Sequence, residues 1–406
     1  MPSLPPGSYL VGKDSRRKAV GTAWHPLSVT LYLLILFSVL THSAYIGSRV
    51  AVSLYAIHLH ASPFTIGVLM SLYGLLPALI AVSAGRLIGR VGPRVPLLVG
   101  SALVAAGTAL PFIIPGLNPL YASTTLIGLG FTLFQITVQN TAGFIGKPED
   151  RPTNFSILAL GYSISAFAGP MLSGFAIDSA GYGVTFLLLA LLPLPTIAVL
   201  AANRLALPRP PARSKRGKQH GLADLLRHRD LRSVFIVSAL QVTAWELFTF
   251  MMPIYGSGIG LSASMIGVTM GAFAAATFVI RMFLPYLNRR VTAWRLLNVA
   301  LLISAATYIV FPLVTHVALL VALAFALGLG LGAAQPMAMA LLHDAAPEGR
   351  SGEAVGLRAA IVTTSHTVMP LLFGALGAAA GITSAFWAVA AALAFGSRVT
   401  TRRRPS

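Results

Sequence analysis

Apolar residues fill long runs along almost the whole chain, and short polar breaks separate one run from the next. Each run is about 20 residues long, which is enough for an α-helix to cross the ~30 Å hydrocarbon layer of a membrane. The runs lack the alternation of barrel strands, and lipid offers unpaired backbone groups no partner, so the predicted fold class is an all-α integral membrane protein. We predict twelve transmembrane helices, near 28–58, 63–85, 95–115, 119–145, 154–178, 183–202, 232–256, 262–286, 294–315, 317–344, 353–379 and 383–400.

The second half of the chain repeats the first. Ser62, Ile66, Gly67, Val68 and Met70 return 200 positions later as Ser262, Ile266, Gly267, Val268 and Met270. A membrane chain that duplicates its apolar part is typically built from two similar bundles with the functional site between them. The predicted organisation is an N-terminal tail, a six-helix bundle, a Pro- and Arg-rich linker, a second six-helix bundle and a C-terminal tail, over 1–27, 28–202, 203–231, 232–400 and 401–406.

Basic residues follow a regular pattern along this organisation. The formal net charge is +19, yet Lys and Arg occur in the N-terminal tail, the linker, the C-terminal tail and alternate turns, while the other turns hold none. This is the positive-inside distribution, and it predicts a multi-pass protein of the cytoplasmic membrane with both termini in the cytoplasm. We therefore interpret the charge as setting topology and expect no nucleic-acid partner.

Several kinds of chemistry find no support in the sequence. The chain has no cysteine, and it lacks a Walker loop, a nucleophile elbow and a zinc-protease motif. We expect neither a metal nor a cofactor, and no enzymatic activity.

Two motifs resemble those of a known family. The turn after helix two reads Gly85-Arg86-Leu87-Ile88-Gly89-Arg90-Val91-Gly92-Pro93-Arg94, and helix five contains Gly169-Pro170 followed by Gly174. They resemble motifs of the major facilitator superfamily of secondary transporters, although Gly89 stands where the family has an acidic residue. The resemblance covers nearly the whole chain and implies two six-helix bundles that work by alternating access. It also implies conformational gating by Gly85, Arg86, Arg90, Gly92, Arg94, Gly169 and Pro170.

Two charged residues lie deep inside predicted spans. Arg49 and Glu246 each precede a turn by ten residues, which at 1.5 Å per residue places them about 15 Å from the outer face, near the midplane. The resemblance makes helices one and seven symmetry mates lining a central cavity, so we expect the two side chains to face each other. Arg281 and Arg358 are predicted closer to the cytoplasmic face, where their side chains can reach the head groups.

Polar residues accumulate in the helices that the family would turn inward. Together they predict a hydrated, aromatic-walled substrate site made by Arg49, His42, Tyr45, Gln135, Gln139, Gln241, Trp245 and Gln335, with His366 as a further polar residue on helix eleven. Glu246 is the predicted proton-coupling residue, because a desolvated carboxylate at mid-membrane readily changes its charge.

Three functions are compatible with this sequence. The first is a proton-coupled transporter of a small solute, with an organic anion held by Arg49 as one candidate cargo. The second is a drug/proton antiporter for lipophilic or cationic compounds, which the partial helix-five motif favours. The third is a receptor or scaffold that transports nothing. The expected partners are the solute, protons and the lipid bilayer, and the expected state is a monomer.

Overall fold

The computed structural model describes residues 26–205, 207–208, 228–347 and 350–401, and the described part contains helices but no strand. The helices are α1 Pro26–His58, α2 Pro63–Val91, α3 Arg94–Ile113, α4 Asn118–Ala142, α5 Arg151–Leu191, α6 Leu194–Ala201, α7 Arg229–Gly258, α8 Ala263–Leu287, α9 Ala293–Val310, α10 Val317–Ala345, α11 Ser351–Ala380 and α12 Ile382–Thr401. Short 3₁₀ turns cover Pro148–Asp150 and Phe311–Leu313. Most of the predicted linker and both tails lie outside the described residues.

Helix α5 contains the fifth predicted span and the first part of the sixth. It bends at Gly181, whose backbone is non-helical at φ 80° and ψ 174°, a conformation that glycine adopts without a steric penalty. Gly381 takes nearly the same conformation 200 positions later and ends α11. The α5 residues after Gly181, together with α6, therefore form the sixth predicted span.

The span count agrees with the prediction. Within the described residues, nine segments are long and apolar enough to cross a membrane, and two shorter apolar helices cover Pro63–Leu76 and Ile382–Arg398. One of the nine, Arg151–Ala201, contains the bend at Gly181 and counts as two spans. The sum is twelve, and the predicted all-α membrane fold is confirmed.

The two halves pack by the same scheme. In the first half α1 packs on α5, and α4 packs on both α2 and α3; in the second half α7 packs on α11, and α10 packs on both α8 and α9. The halves meet where α5 crosses α8, where α2 crosses α11, and between α1 and α7. The internal repeat of the sequence thus corresponds to two halves whose helices pack in the same arrangement.

One end of the bundle, called here the closed end, carries the α1–α2, α7–α8 and α11–α12 turns and the bend at Gly181. A buried apolar cluster joins the halves there and includes Val50, Ile66, Met251 and Ile266. The crossings are close: a Cβ on Gly67 would lie 2.6 Å from the carbonyl oxygen of Pro370, and Gly267 faces the carbonyl of Pro170 at the same separation. The charge pattern predicts that this end faces outward.

Candidate substrate and coupling site

Arg49 and Glu246 meet between the two halves. Arg49 on α1 donates from Nη2 to Oε2 of Glu246 on α7, and the two atoms are 2.9 Å apart. The Glu246 side chain is only 1% exposed and that of Arg49 15%. The sequence placed these residues at one depth on helices one and seven, and the structure joins them in an ion pair.

Glu246 has a second partner within its own half, on the neighbouring helix α11. Nδ1 of His366 on α11 lies 2.7 Å from Oε1 of Glu246. The His366 side chain is 43% exposed, in contrast to the carboxylate it contacts. Both carboxylate oxygens are therefore occupied, one by α1 and the other by α11. The sequence identified His366 only as a polar residue, because nothing in its position indicates that it reaches Glu246.

Aromatic side chains pack beside the ion pair in the first half. The Tyr45 ring stacks on Phe131 with centroids 4.0 Å apart and meets Tyr73 edge-on at 5.6 Å. The Tyr73 hydroxyl lies 3.0 Å from Oγ of Ser48, one residue before Arg49. This packing fixes the α1 face that carries Arg49.

A cavity of about 640 Å³ lies between the halves on the other side of this layer. Among the predicted site residues it is lined by His42, Gln135, Gln139, Gln241, Trp245 and Gln335, and His366 lines it as well. Arg49, Tyr45 and Glu246 are not among its lining residues. The structure thus separates the predicted site into a cavity and a buried ion pair behind it, with His366 touching both.

The cavity lies towards the end opposite the closed end, called here the open end. Its lining residues Gln139, Arg281 and Met339 stand within the last two turns of α4, α8 and α10, and Ala159 and Arg358 within the first three turns of α5 and α11. The closed end is sealed by the apolar cluster and the glycine crossings, so in the described conformation the cavity is accessible from the open end.

Two arginines line the cavity instead of reaching for the membrane surface. Arg281 donates from Nη2 to Oε1 of Gln335 at 3.0 Å, and its Nε is buried without a hydrogen-bond partner. Arg358 is 8% exposed and donates from Nε to Oγ of Ser238 at 3.1 Å. Neither forms an ion pair with a described carboxylate, and the cavity lining includes neither Asp nor Glu. The expectation that both reach the head groups is therefore wrong.

The first-half wall of the cavity is aromatic and amide-rich. The His42 ring packs between Phe131, at 5.1 Å, and Tyr162, at 4.9 Å, and its Nδ1 bonds the hydroxyl of Ser165. The Tyr162 hydroxyl lies beside the amides of Gln135 and Gln139. The cavity thus has a cationic wall in the second half and an uncharged polar wall in the first.

The predicted gating residues lie in three places. The surroundings of Gly85 and the side chains of Arg86 and Arg90 are outside the described part of the structure. Gly92 has φ 77° in the turn after α2, and Arg94 donates to Asn203 and to the carbonyls of Leu200 and Ala201 at the end of α6.

The other two gating residues belong to helix crossings. Gly169 packs against α1, where an added Cβ would lie 2.9 Å from the carbonyl oxygen of Ser43, and the Pro170 carbonyl faces Gly267 across the halves. The gating roles of all seven residues remain predictions.

Comparison with known proteins defines the class. The family model of the Major Facilitator Superfamily matches residues 31–318 and 299–405, and the chain belongs to this superfamily. It is a multi-pass membrane protein and a secondary transporter of the superfamily's fold.

Individual relatives are distant. The oxalate:formate antiporter of Oxalobacter formigenes is 23% identical over 241 residues, which cover 56% of this chain and 55% of that protein. The chain thus aligns with about half the length of this relative.

Solved structures share the fold. A peptide transporter POT in complex with sulfate superposes with a TM-score of 0.77 at 19% identity, covering 94% of this chain and 95% of that one. A bacterial homolog of the human lysosomal transporter Spinster, in an inward-facing and occupied conformation, gives a TM-score of 0.72 at 13% identity, with coverages of 92% and 96%.

Proposed function

We propose that this protein transports a small organic anion, coupled to protons, by alternating access of the central cavity to the two sides of the membrane. The observation that carries the proposal is the pair of arginines in the cavity wall, Arg281 and Arg358, with no carboxylate among the lining residues.

The charge of the cavity favours an anionic cargo. A guanidinium withdrawn from water is costly unless an anion or several acceptors compensate it, and here each arginine has one side-chain acceptor, Gln335 or Ser238. A carboxylate can accept two parallel N–H bonds from a guanidinium, so a bound organic acid would satisfy donors that the protein leaves open. A cationic drug would instead meet two like charges, which counts against the antiporter alternative.

A distant relative supports the same cargo class. The similar protein from Oxalobacter formigenes is described as an oxalate:formate antiporter, and both of its named solutes are carboxylates. At 23% identity over about half of each chain this likeness supports an organic acid without identifying which one.

The buried ion pair provides a proposed coupling element. Glu246 holds Arg49 of the other half in the conformation that seals the closed end. A proton on Glu246 would end the pair and free Arg49 to hold the anion, with Tyr45 beside it. The Glu246 carboxylate and the anion would then compete for the same arginine, so protonation of Glu246 favours anion binding, and this links the two movements. We further propose that the open end and both termini face the cytoplasm, and that the protein acts as a monomer.

The test is counterflow in proteoliposomes. Purified protein is reconstituted with unlabelled formate, acetate, oxalate, malonate, succinate or benzoate inside, and uptake of the same labelled acid is followed. We expect saturable uptake of at least one acid. Arg281→Gln and Arg358→Gln should each raise its half-saturation concentration about tenfold or more, since a hydrogen bond to a charged group contributes roughly 1.5–3 kcal/mol.

The matched control is Arg289→Gln, which removes an exposed arginine two turns beyond Arg281 and outside the cavity lining. Arg49→Ala should weaken binding as well. Absence of counterflow for all six acids, or equal affinity in the Arg281 and Arg358 variants, would reject the anion assignment. A receptor or scaffold predicts no flux of any solute.

A further inference from the structure

Among the residues that the structure describes, only His366 both hydrogen-bonds the buried carboxylate of Glu246 and lines the cavity. Glu246 is enclosed, with 1% of its side chain exposed, and it is absent from the cavity lining. His366 reaches it at 2.7 Å and keeps 43% of its own side chain exposed. A proton that enters from cavity water therefore meets His366 before it can reach Glu246.

We propose that His366 is the proton relay between the cavity and Glu246. This inference rests on the proposed anion transport and adds the route of the coupled proton. Imidazole suits the role because its two nitrogens can exchange donor and acceptor states, so a proton taken up at one nitrogen can be matched by a proton released from the other.

The transfer balances in atoms and charge. At the start the Nδ1–H of neutral His366 donates to Oε1 of Glu246, and Nε2 is the ring nitrogen left for cavity water. A proton from water binds Nε2, and the proton on Nδ1 passes to Oε1, forming an O–H bond as the N–H bond breaks. The products are a neutral carboxylic acid, a neutral imidazole of the other tautomer, and Arg49 without an anionic partner. One positive charge has been added.

The residues around His366 make the positive charge brought by the proton unfavourable unless an anion is bound in the cavity. Arg358 on the same helix and Arg281 on α8 line the same cavity, so a further positive charge beside them is unfavourable until an anion enters. The helices packed on α11 offer no described carboxylate that could replace the anion at this depth. Their titratable or charged residues with described side chains are Arg232, Glu246 and Tyr255 on α7, Tyr73 on α2, His343 and Asp344 at the end of α10, and Arg398 near the end of α12. One proton, carried by Glu246, should therefore enter with each bound anion.

The experiment uses His366→Asn in the full-length protein. The Asn amide can donate to Glu246 as Nδ1–H does, but it cannot pass a proton on. Two activities are compared in the same proteoliposomes with whichever of the six acids gives the fastest counterflow: exchange without a pH difference, and net uptake driven by an acidic exterior. A difference of one pH unit corresponds to about tenfold accumulation per coupled proton.

We expect a difference of one pH unit to stimulate net uptake by native protein about tenfold. His366→Asn should keep its exchange rate within about twofold of the native rate, while the stimulation of its net uptake by the same pH difference falls to less than about twofold. The control is His343→Asn, which changes an exposed histidine near the end of α10, outside the cavity lining. This control should keep the native response to the pH difference.

Stimulation of His366→Asn equal to that of native protein would overturn the relay while leaving the proposed function intact. His366→Gln is measured alongside as a second donor variant, and loss of exchange in both variants would also overturn it, since exchange does not require net proton movement. Absence of counterflow in native protein would instead reject the proposed function, together with the cargo that the relay serves.

Discussion

The carboxylate of Asp178, three residues before the bend in α5, accepts a hydrogen bond from the backbone N–H of Ser264 at the start of α8, with Oδ2 and N 2.7 Å apart. Its other oxygen accepts from the N–H of Ala263 at 3.1 Å. A residue of the first half thus caps a helix of the second half at the closed end. The repeat does not duplicate this contact, because Ala378 and Pro63 occupy the equivalent positions and offer neither a carboxylate nor an N–H.

Removal of this cap should favour the conformation that opens the closed end. Asp178→Ala deletes two charge-assisted hydrogen bonds and a favourable contact with the helix dipole, which exist only while the halves touch there. A loss of about 1.4 kcal/mol would change the ratio of the two conformations roughly tenfold. Because the chain has no cysteine, spin labels can be introduced cleanly at His60→Cys and Gly258→Cys, which are exposed at the closed end of either half.

Pulsed electron resonance between the two labels provides the readout. Asp178→Ala should increase the population with the longer distance. Asp150→Ala is the control, because Asp150 accepts from the backbone N–H of Lys147 within the first half. Identical distance distributions for Asp178→Ala and native protein would show that the cap does not hold the halves together.

The glycines at the crossings should be intolerant of side chains. Gly67→Ala places a methyl group 2.6 Å from the Pro370 carbonyl oxygen, so α2 and α11 must move apart. We expect a destabilisation of about 1–3 kcal/mol, the usual cost of overpacking, visible as a lower unfolding temperature in detergent.

Gly356→Ala on α11 is the matched control for Gly67→Ala. An added Cβ at Gly356 meets nothing within 4 Å, and alanine is the better helix former, so this variant should be as stable as native protein or more stable. Equal stability of the Gly67 and Gly356 variants would contradict the close packing of the crossing.

Much of the fold could be predicted from hydropathy and the internal repeat. The predicted start of helix two at residue 63 is the start of α2, and the predicted spans 317–344 and 353–379 differ from α10 and α11 by one or two residues at most ends. The contact between Arg49 and Glu246 was predictable because depth and the repeat constrain both residues independently.

The rotation of the helices could not be predicted in the same way. The helices are apolar on most faces, so no polar stripe shows which side of α8 or α11 faces the centre. Depth alone predicts that Arg281 and Arg358 reach the nearby membrane surface, whereas interhelical packing turns both into the cavity. Asp178 occupies the end of a span, where a carboxylate looks like an ordinary solvated residue, and only the approach of α8 makes it a cap.

Glu246→Gln should separate exchange from coupling. The amide is nearly isosteric with the carboxylic acid, but it cannot bind and release a proton as the carboxylate does. Anion exchange should therefore persist, while the response to a pH difference is lost. The stimulation by one pH unit should fall from about tenfold to less than about twofold. Glu353→Gln serves as the control, since Glu353 pairs with Arg350 near the start of α11, outside the cavity lining. Undiminished proton-driven uptake by Glu246→Gln would refute the coupling role.

The proposed orientation can be measured with single cysteines. Gly258→Cys at the closed end should react with a membrane-impermeant maleimide in intact cells. Asn288→Cys, exposed just after α8 at the open end, should react only after permeabilisation. The reverse pattern would invert the topology predicted from the basic residues.

The most direct test of the anionic cavity is thermal unfolding of purified protein with matched acids and amines. Acetate, succinate and benzoate are compared with ethylamine, butane-1,4-diamine and benzylamine, on native protein and on the Arg281→Gln/Arg358→Gln variant. A ligand at about 100 times its Kd stabilises the folded state by roughly 2.7 kcal/mol. We predict that at least one acid raises the unfolding temperature of native protein, that the double variant loses this shift, and that no amine reproduces it. Stabilisation by an amine, or an equal shift by the acid in the double variant, would contradict an anion site between the two arginines.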